Sequence, residues 1–268
     1  MNPRISIITI TFNSEKTLEE TIKSVVSQDY DNLEYLIIDG GSKDSTLEIV
    51  NKYREKIAVV VSEPDKGISD AFNKGIDNAT GEIIGIINSD DLLMPRALCA
   101  IADNYEERID VYRGNTVLWN AETGSKLPTK PTMVFSNRKA IKSVCHQSTF
   151  IRKDAYEKYG KYDTDFKYMM DSDLLRRFAN HGARFKYIDK DLAVFRQGGV
   201  TSDNWKNKLK EIRLLVTNNG GSIALAYYRN LVFVIHSLTK QMLFYLLGEK
   251  RSRIMYYQVN SDRKINHV

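Results

Sequence analysis

Apolar residues fall along the first ninety positions in short runs: Ile5 to Ile10, Leu33 to Ile38, Ile57 to Val61 and Glu82 to Ile87. Near-continuous β-branched runs of this length predict strands buried on both faces. The segments between them change period. Leu18, Ile22, Val25 and Val26 recur at helical spacing, a second helix runs through Leu47, Ile49 and Val50, and Ile68 to Ala79 predicts a third. Thr17-Leu18-Glu19-Glu20 reads as a capping box at the first helix start. Strands separated by helices predict a mostly parallel sheet, and right-handed crossovers put every strand tip on one edge.

After Asp91 the rhythm changes. Pro95 suits the first turn of a helix running toward Asn104. Asp110 to Trp119 alternates and meets the turn Glu122-Thr123-Gly124-Ser125, which predicts an antiparallel hairpin. Gln147 to Ile151 and Arg184 to Ile188 read as strands, and Met170 to Asn180 as a helix with Gly182 just beyond its end. Arg196-Gln197-Gly198-Gly199-Val200-Thr201-Ser202 reads as a flexible patch. The expected fold class is α/β: a Rossmann-like three-layer α/β/α sandwich with a mixed, mostly parallel sheet and a C-terminal helical extension. The expected domains are 1–202, in halves of about 1–95 and 96–202, and an extension over 203–268.

That extension has its own pattern. Lys206 to Thr217 predicts a basic amphipathic helix, Asn218-Asn219-Gly220-Gly221 breaks it, and Ser222 to Leu247 is strongly apolar. At 100° per residue, Arg229, His236 and Lys240 fall within about 40° of one another, with Leu231, Val234, Ile235, Leu238 and Met242 opposite. A helix of this kind lies in a membrane interface beside anionic lipid, or packs on the domain or on a second copy in a homodimer. The membrane surface is the reading carried forward, as peripheral contact through 203–253.

Composition narrows the class. With 268 residues, 42% hydrophobic and 27% charged, the chain affords a sizeable core. Cys99 and Cys145 form no CxxC pattern, which points to a reducing compartment and away from structural zinc. Met1-Asn2-Pro3-Arg4 leads straight into a strand, so no signal peptide is expected. No charge-free apolar run reaches the length of a membrane span. The net charge of +5 is small and dispersed, and no nucleic-acid-binding motif accompanies it. A cytoplasmic protein is expected, at the inner face of the cell membrane if the extension binds there.

The chemistry gathers at the strand ends. The first strand closes on Thr9-Ile10-Thr11-Phe12-Asn13, the second on Asp39-Gly40-Gly41-Ser42 and the fourth on Asn88-Ser89-Asp90-Asp91. Beyond the third lies Glu63-Pro64-Asp65-Lys66-Gly67-Ile68-Ser69-Asp70. Ligands of open α/β sheets bind at this edge. Carboxylates there can bond a base or ribose, and two of them can hold Mg²⁺ or Mn²⁺ against a diphosphate. The plainer reading of Asp90-Asp91 is a cap on a short helix at Leu92-Leu93. Transfer to a hydroxyl needs a general base. Asp171 and Asp173 lie at a helix N-terminus that favours the ionised form, although N-capping also explains them. His146 is a further polar candidate for an acceptor cleft.

These segments together resemble glycosyltransferase family 2, inverting enzymes with an A-type glycosyltransferase fold. The resemblance is carried by Ile7 to Asn13, Ile37 to Thr46, Ser62 to Gly67, Asp70 to Gly75, Asn88 to Asp91, His146 to Phe150 and Asp171 to Leu174, and covers about Ile5 to Ser202. It implies a nucleotide pocket lined by Thr9, Thr11 and Asn13, with Asp39 on the base. Asp65 and Lys66 would lie near the diphosphate and Asp70 near the donor sugar. It further implies Asp91 on a Mn²⁺ or Mg²⁺ ion, Asp90 on the metal or ribose, and Asp171 as base. Met170 replaces the first acid of the family's Glu-Asp base motif, which keeps Asp173 as an alternative. The patch Arg196 to Ser202 resembles a loop that closes over the donor.

The wording of His146 to Phe150 and of Ser62 to Gly67 is similar to bacterial capsule, exopolysaccharide and O-antigen enzymes. It implies a nucleotide-diphosphate sugar donor and a saccharide acceptor, lipid-linked in such systems. The processive Gln-x-x-Arg-Trp motif is missing, which implies single addition. A nucleotidyltransferase or dinucleotide dehydrogenase would show a glycine-rich loop where Thr11-Phe12-Asn13-Ser14 stands. A non-catalytic sugar-nucleotide-binding protein is the remaining alternative.

Overall fold

A computed structural model describes residues 2–133, 145–197 and 205–247. Two compact units divide the chain, 1–204 and 205–268. In the first, four strands build the parallel side of a sheet: β1 (Ile5–Thr11), β2 (Leu33–Asp39), β3 (Val59–Ser62) and β4 (Ile83–Asn88), in the spatial order β3-β2-β1-β4. Helices α1 (Leu18–Val26), α2 (Thr46–Lys52) and α3 (Ile68–Asn78) make the crossovers. β1, β2 and β4 are buried along most of their length, as their unbroken apolar runs require. Leu18, Ile22 and Val25 place the apolar face of α1 in the core.

The sheet then changes direction. β8 (Thr149–Arg152) pairs antiparallel with both β4 and β6 (Val111–Asn120), β9 (Phe185–Gln197) runs parallel to β6, and the short β5 (Leu92–Leu93) closes the order against β9. β7 (Lys126–Thr129) pairs with β6 as the expected hairpin. The helices of this half are α4 (Ala97–Asp103), α5 (Lys153–Tyr159) and α6 (Met170–Asn180). The seam is the three-residue pairing of β4 with β8. There Gly85 faces Phe150, whose Cε1 lies 2.6 Å from where a Cβ would stand, so any side chain at 85 would displace the ring. The fold is thus α/β, with a mixed and mostly parallel sheet flanked by helices.

Several local expectations change. Leu92-Leu93 is a strand, not a capped helix, because Met94 and its neighbours pair with β9. Pro95 precedes α4, and Arg96 between them takes a left-handed backbone at φ 60°. Thr17 stands before α1 without a side-chain capping bond. β9 is much longer than Arg184 to Ile188 and includes Arg196 and Gln197. The exposed Asp189 and Lys190 sit at register shifts against β6 that interrupt the apolar pattern. The remainder of the predicted loop, 198–202, lies outside the described residues.

At the sheet edge opposite the strand tips, buried Glu34 accepts hydrogen bonds from Ser6 Oγ (2.5 Å), Thr80 N and Thr80 Oγ1 (both 2.7 Å), and pairs with Arg4 at 3.1 Å. Burial alone would raise its carboxyl; the Ser6 and Thr80 bonds and the Arg4 charge outweigh it and hold the group below its ordinary value. A depressed folded pKa stabilises above the unfolded value and is lost as pH falls through the folded one. The thermal midpoint is therefore expected to drop as pH falls below about 4.3. Glu34→Ala, which strips the acceptor from this network, is expected to cost about 3 kcal/mol in denaturant titration at pH 7 and to flatten that acid limb.

Among the described residues of the second unit, 205–247, lie α7 (Trp205–Asn218) and α8 (Ile223–Leu247). Arg213 lies over the Tyr227 ring at 5.7 Å. Along α8, Ile223, Tyr227, Leu231, Ile235, Leu238 and Met242 are exposed, while Arg229 is buried. No helix among the described residues is long and apolar enough to cross a membrane.

Candidate active site at the strand tips

The parallel register brings the tips level. Thr11 stands opposite Asp39, Asp39 opposite Ser62, and Ile10 opposite Asn88. Buried Asp39 collects Ser42 Oγ (2.5 Å), Ser62 Oγ (2.6 Å) and the backbone N–H groups of Gly41 and Ser42. It therefore ties the ends of β2 and β3 together, while its backbone pairs with Thr11 at the end of β1. Asn13, left-handed at φ 49°, accepts from Lys43 N at 2.8 Å and donates its own N–H to Ser42 Oγ at 2.8 Å. Ser14 and Ser89 share a 2.8 Å bond that joins the ends of β1 and β4.

Phe12 projects from the rim of these strand ends with 59% of its surface exposed. Beside it, a Cβ at Gly40 would stand 2.5 Å from Asp65 Oδ2 and 3.4 Å from the Phe12 ring, so a side chain there would push the Asp65 carboxylate aside. Asp65 Oδ1 accepts from Gly67 N, and Asp70 Oδ2 accepts from Lys66 N. The loop before α3 is thus folded around two acids, with an exposed aromatic face next to them.

The adjacent acids Asp90 and Asp91 differ sharply. Asp91 is fully buried: Gln147 Nε2 donates to its Oδ2 at 2.6 Å and Arg196 N to its Oδ1 at 2.9 Å. Asp90 is only half-buried. Burial raises both carboxyls, and Asp90 raises Asp91 further. Two crowded, desolvated acids form a place short of positive charge.

From the other half, α6 delivers a third acid. His146 Nδ1 lies 3.0 Å from Asp171 Oδ2, and His146 Nε2 lies 3.2 Å from Asn88 Oδ1. A chain of contacts therefore runs from the tip of β4 through the imidazole to Asp171. Burial would lower the imidazole, but Asp171, with Asp91 and Asp90 behind it, outweighs burial and the net shift is upward. The Phe72 ring braces the imidazole edge at 5.0 Å. Buried Arg113 donates to Thr149 Oγ1 at 3.1 Å and sets a positive charge near Asp171. A cavity of about 10 Å³ lies between His146, Asp171, Tyr162 and Leu174; it admits a single water and no sugar ring. Thr11 Oγ1, Gln147 Oε1, Asp171 Oδ1 and Arg196 Nε are buried without a hydrogen-bond partner. Buried polar groups left without protein partners call for a water, an ion or a ligand.

Residues 6–160 match the family profile of Glycosyl transferase family 2. The chain belongs to this family. It is a glycosyltransferase enzyme, as the names of its relatives also indicate: a PGL/p-HBAD biosynthesis glycosyltransferase of Mycobacterium bovis is 26% identical over 217 residues, 77% of this chain and 82% of that protein. Two solved structures share the fold. S. aureus TarS (1–349), in complex with UDP-GlcNAc, has a TM-score of 0.62 at 18% identity, over 86% of this chain and 71% of that one. The mannosyltransferase PcManGT of Pyrobaculum calidifontis, in complex with GDP-Man and Mn²⁺, also has a TM-score of 0.62 at 18% identity, over 97% and 80%.

In this glycosyltransferase the strand-tip residues Thr11, Asn13, Asp39, Asp65, Lys66, Asp70 and Asp90 come to one edge, and His146 joins Asp171 to it. Three expectations meet a different geometry. Thr9 is fully buried and its hydroxyl is shared with Tyr35 at 3.0 Å, so it does not line a pocket. Asp173 is buried and paired with Arg177 Nε at 3.1 Å, one helical turn on, so its carboxylate braces α6. Asp91, expected on the metal, has both oxygens engaged by protein donors. Phe12, Asn88 and Gln147 were not singled out by sequence reasoning. Each carried a signal: Asn88 stands in Asn88-Ser89-Asp90-Asp91, Gln147 in the run His146 to Phe150, and Phe12 is a large apolar side chain between two polar ones just past a strand end.

Among the described residues, no three His, Cys, Asp or Glu side chains gather as a closed metal site. The crowded acids still suit a divalent ion of the Mg²⁺ kind, which takes one or two carboxylates and completes its shell with substrate phosphates and water.

Proposed function

We propose that this glycosyltransferase moves a sugar from a nucleotide-diphosphate sugar to an acceptor hydroxyl with inversion, using Asp171 as the general base. The observation that carries the reading is the chain Asn88–His146–Asp171, which sets an acid from α6 beside the acid pair at the tip of β4. His146 fixes one carboxylate oxygen and leaves Oδ1 unclaimed, so a proton arriving on Asp171 has a place to sit. The acceptor oxygen bonds the anomeric carbon as its proton passes to Asp171. The bond from that carbon to the diphosphate breaks on the opposite face, and its electron pair leaves with the nucleoside diphosphate. The rim of Phe12, Gly40 and Asp65 offers the base and ribose a stacking face and an acceptor, and the enclosed Asp39 carboxylate holds that rim in shape. Asp90 would hold a Mn²⁺ or Mg²⁺ ion, which when bound neutralises diphosphate charge. Asp91 holds Gln147 and the end of β9 in place.

The test is calorimetric titration with UDP, GDP and dTDP, with and without Mn²⁺. One of them is expected to bind, and at least about tenfold more tightly with the metal. Absence of binding by all three, with and without metal, would sink the reading.

The acceptor is read as a lipid-linked saccharide, met at an anionic membrane face in the assembly of surface polysaccharide. The support is the second unit: from residue 205 onward there are eleven Lys and Arg against three Asp and Glu, while the rest of the chain is net acidic. α8 contains no acid and exposes an apolar face. That combination fits a helix lying in an anionic interface. The protein is expected to sediment with vesicles containing phosphatidylglycerol and to remain in solution with pure phosphatidylcholine. Leu231→Glu with Leu238→Glu is expected to weaken that binding at least about tenfold. Equal sedimentation of the variant and the parent would remove α8 from the contact.

A further inference from the structure

Arg113 lies near the start of β6 and is 1% exposed. It stands opposite Thr149 in the pairing of β6 with β8. Its Nε donates to Thr149 Oγ1 at 3.1 Å, and its Nη1 donates to the Thr132 carbonyl. Thr149 Oγ1 in turn donates to the Cys145 carbonyl at 2.9 Å, and Thr149 N to the His146 carbonyl at 2.8 Å. The guanidinium therefore stands behind the turn that presents His146 Nδ1 to Asp171 Oδ2 at 3.0 Å. A neutral side chain could make those hydrogen bonds. A full charge at this depth needs a further reason, because taking it out of water is unfavourable. Burial pulls Arg113 down to about 10, which still leaves it charged at neutral pH.

Asp171 supplies that reason. Its side chain is only 16% exposed. An enclosed carboxylate tends to hold a proton, and a general base must begin without one. Among the described residues, Asp171 interacts electrostatically with Arg113 on β6, with Cys145 and His146 in the turn before β8, with Tyr156 on α5 and with Tyr162 in the segment before α6. Burial pushes the Cys145 thiol up to about 11 and raises both phenols further, so these three groups stay neutral. The imidazole gives up its charge as pH rises, whereas the guanidinium keeps it.

We infer that Arg113 is a positioning residue for the general base: it braces the turn that carries His146, and its charge holds Asp171 ready to take a proton from the acceptor hydroxyl. This rests on the function proposed above. Arg113 is enclosed and acts only through Thr149, the imidazole and its field at Asp171. The same charge returns Asp171 to its ionised form after each transfer, when the proton passes on to solvent.

The experiment follows the carboxyl carbon NMR signal of Asp171 through a pH titration of the full chain carrying labelled aspartate, in wild type, Arg113→Gln and Arg113→Lys. The signal is assigned by its loss in Asp171→Asn. Arg113→Gln keeps a donor for Thr149 and removes the charge. Its Asp171 midpoint is expected to rise by about one pH unit, because a carboxylate without its cation ionises later. In Arg113→Lys the midpoint is expected to return at least about halfway to the wild-type value. An Asp171 titration that stays in place in Arg113→Gln, whatever happens to the thermal midpoint, overturns the inference. An equal rise in both variants traces the effect to packing and overturns it too. Thr149→Val tests the brace without touching the arginine. The N–H proton between His146 Nδ1 and Asp171, assigned by its loss in His146→Gln, is expected to exchange with water at least about tenfold faster in that variant. Unchanged exchange overturns the inference and does not depend on an arginine variant folding. An Asp171→Asn enzyme that transfers sugar at the wild-type rate overturns the proposed base and this inference with it. Loss of transfer in that variant, together with an unmoved Asp171 titration in Arg113→Gln, overturns the inference alone.

Discussion

Replacing Asp171 by asparagine is expected to lower the transfer rate about a thousandfold while leaving nucleotide affinity within about twofold of the parent. The substitution keeps an oxygen for His146 Nδ1 and so preserves the contact that orients α6 toward β4. What it removes is the capacity to take a proton, which puts the loss in kcat. The neighbouring acid supplies the contrast. Asp173→Asn weakens the tie to Arg177 and is expected to lower stability by about 1–2 kcal/mol with transfer per folded molecule little changed. Single-turnover transfer and a thermal melt on both variants decide the matter. Transfer by the Asp171 variant within about tenfold of wild type would remove Asp171 from the role of base.

The second large effect is expected at Asp90. Asp90→Asn should abolish the gain in nucleotide affinity given by Mn²⁺, a loss of at least about tenfold, and leave metal-free binding unchanged or slightly stronger because crowding with Asp91 is relieved. Asp91→Asn should behave differently. Gln147 Nε2 and Arg196 N both depend on the Asp91 carboxylate, and an amide accepts through one oxygen only. Its main expected effect is a stability loss of about 2 kcal/mol, with the metal gain retained in the folded fraction. If calorimetry gave the reverse pattern, metal dependence lost at Asp91 and kept at Asp90, the assignment of the two acids would exchange.

The strand tips were legible in the sequence because each motif follows directly on an apolar run, so the element and its functional end are read together. The different surroundings of Asp90 and Asp91 were not. They depend on Gln147 and Arg196, which lie 56 and 105 residues further along the chain. No local pattern announces such partners. The choice between Asp171 and Asp173 was open for a related reason. Both sit in the first turn of α6, and only the placement of His146 and Arg177 separates an acid facing the site from one bracing its own helix. Thr9 misled because it shares its run with Thr11. Period-two alternation puts both on one face of β1, but Tyr35 closes over the first and the strand ends at the second. The full reach of β9 was hidden by the charged pair Asp189-Lys190, which breaks the apolar alternation where the strand is irregular against β6.

The seam at Gly85 and Phe150 has a consequence for how such enzymes diversify. Only three residue pairs join β4 to β8. In the reading proposed here, donor recognition lies on one side of that narrow join and the catalytic acid arrives from the other. Mutation can therefore remodel the acceptor side, or recombination replace it, without redrawing the nucleotide rim, so long as the glycine, the ring and the imidazole bridge stay in register. The join is reinforced away from the sheet by Asn73 on Tyr162 and by Gln147 and Arg196 on Asp91, so a change on the acceptor side leaves the donor side intact only where those ties survive it.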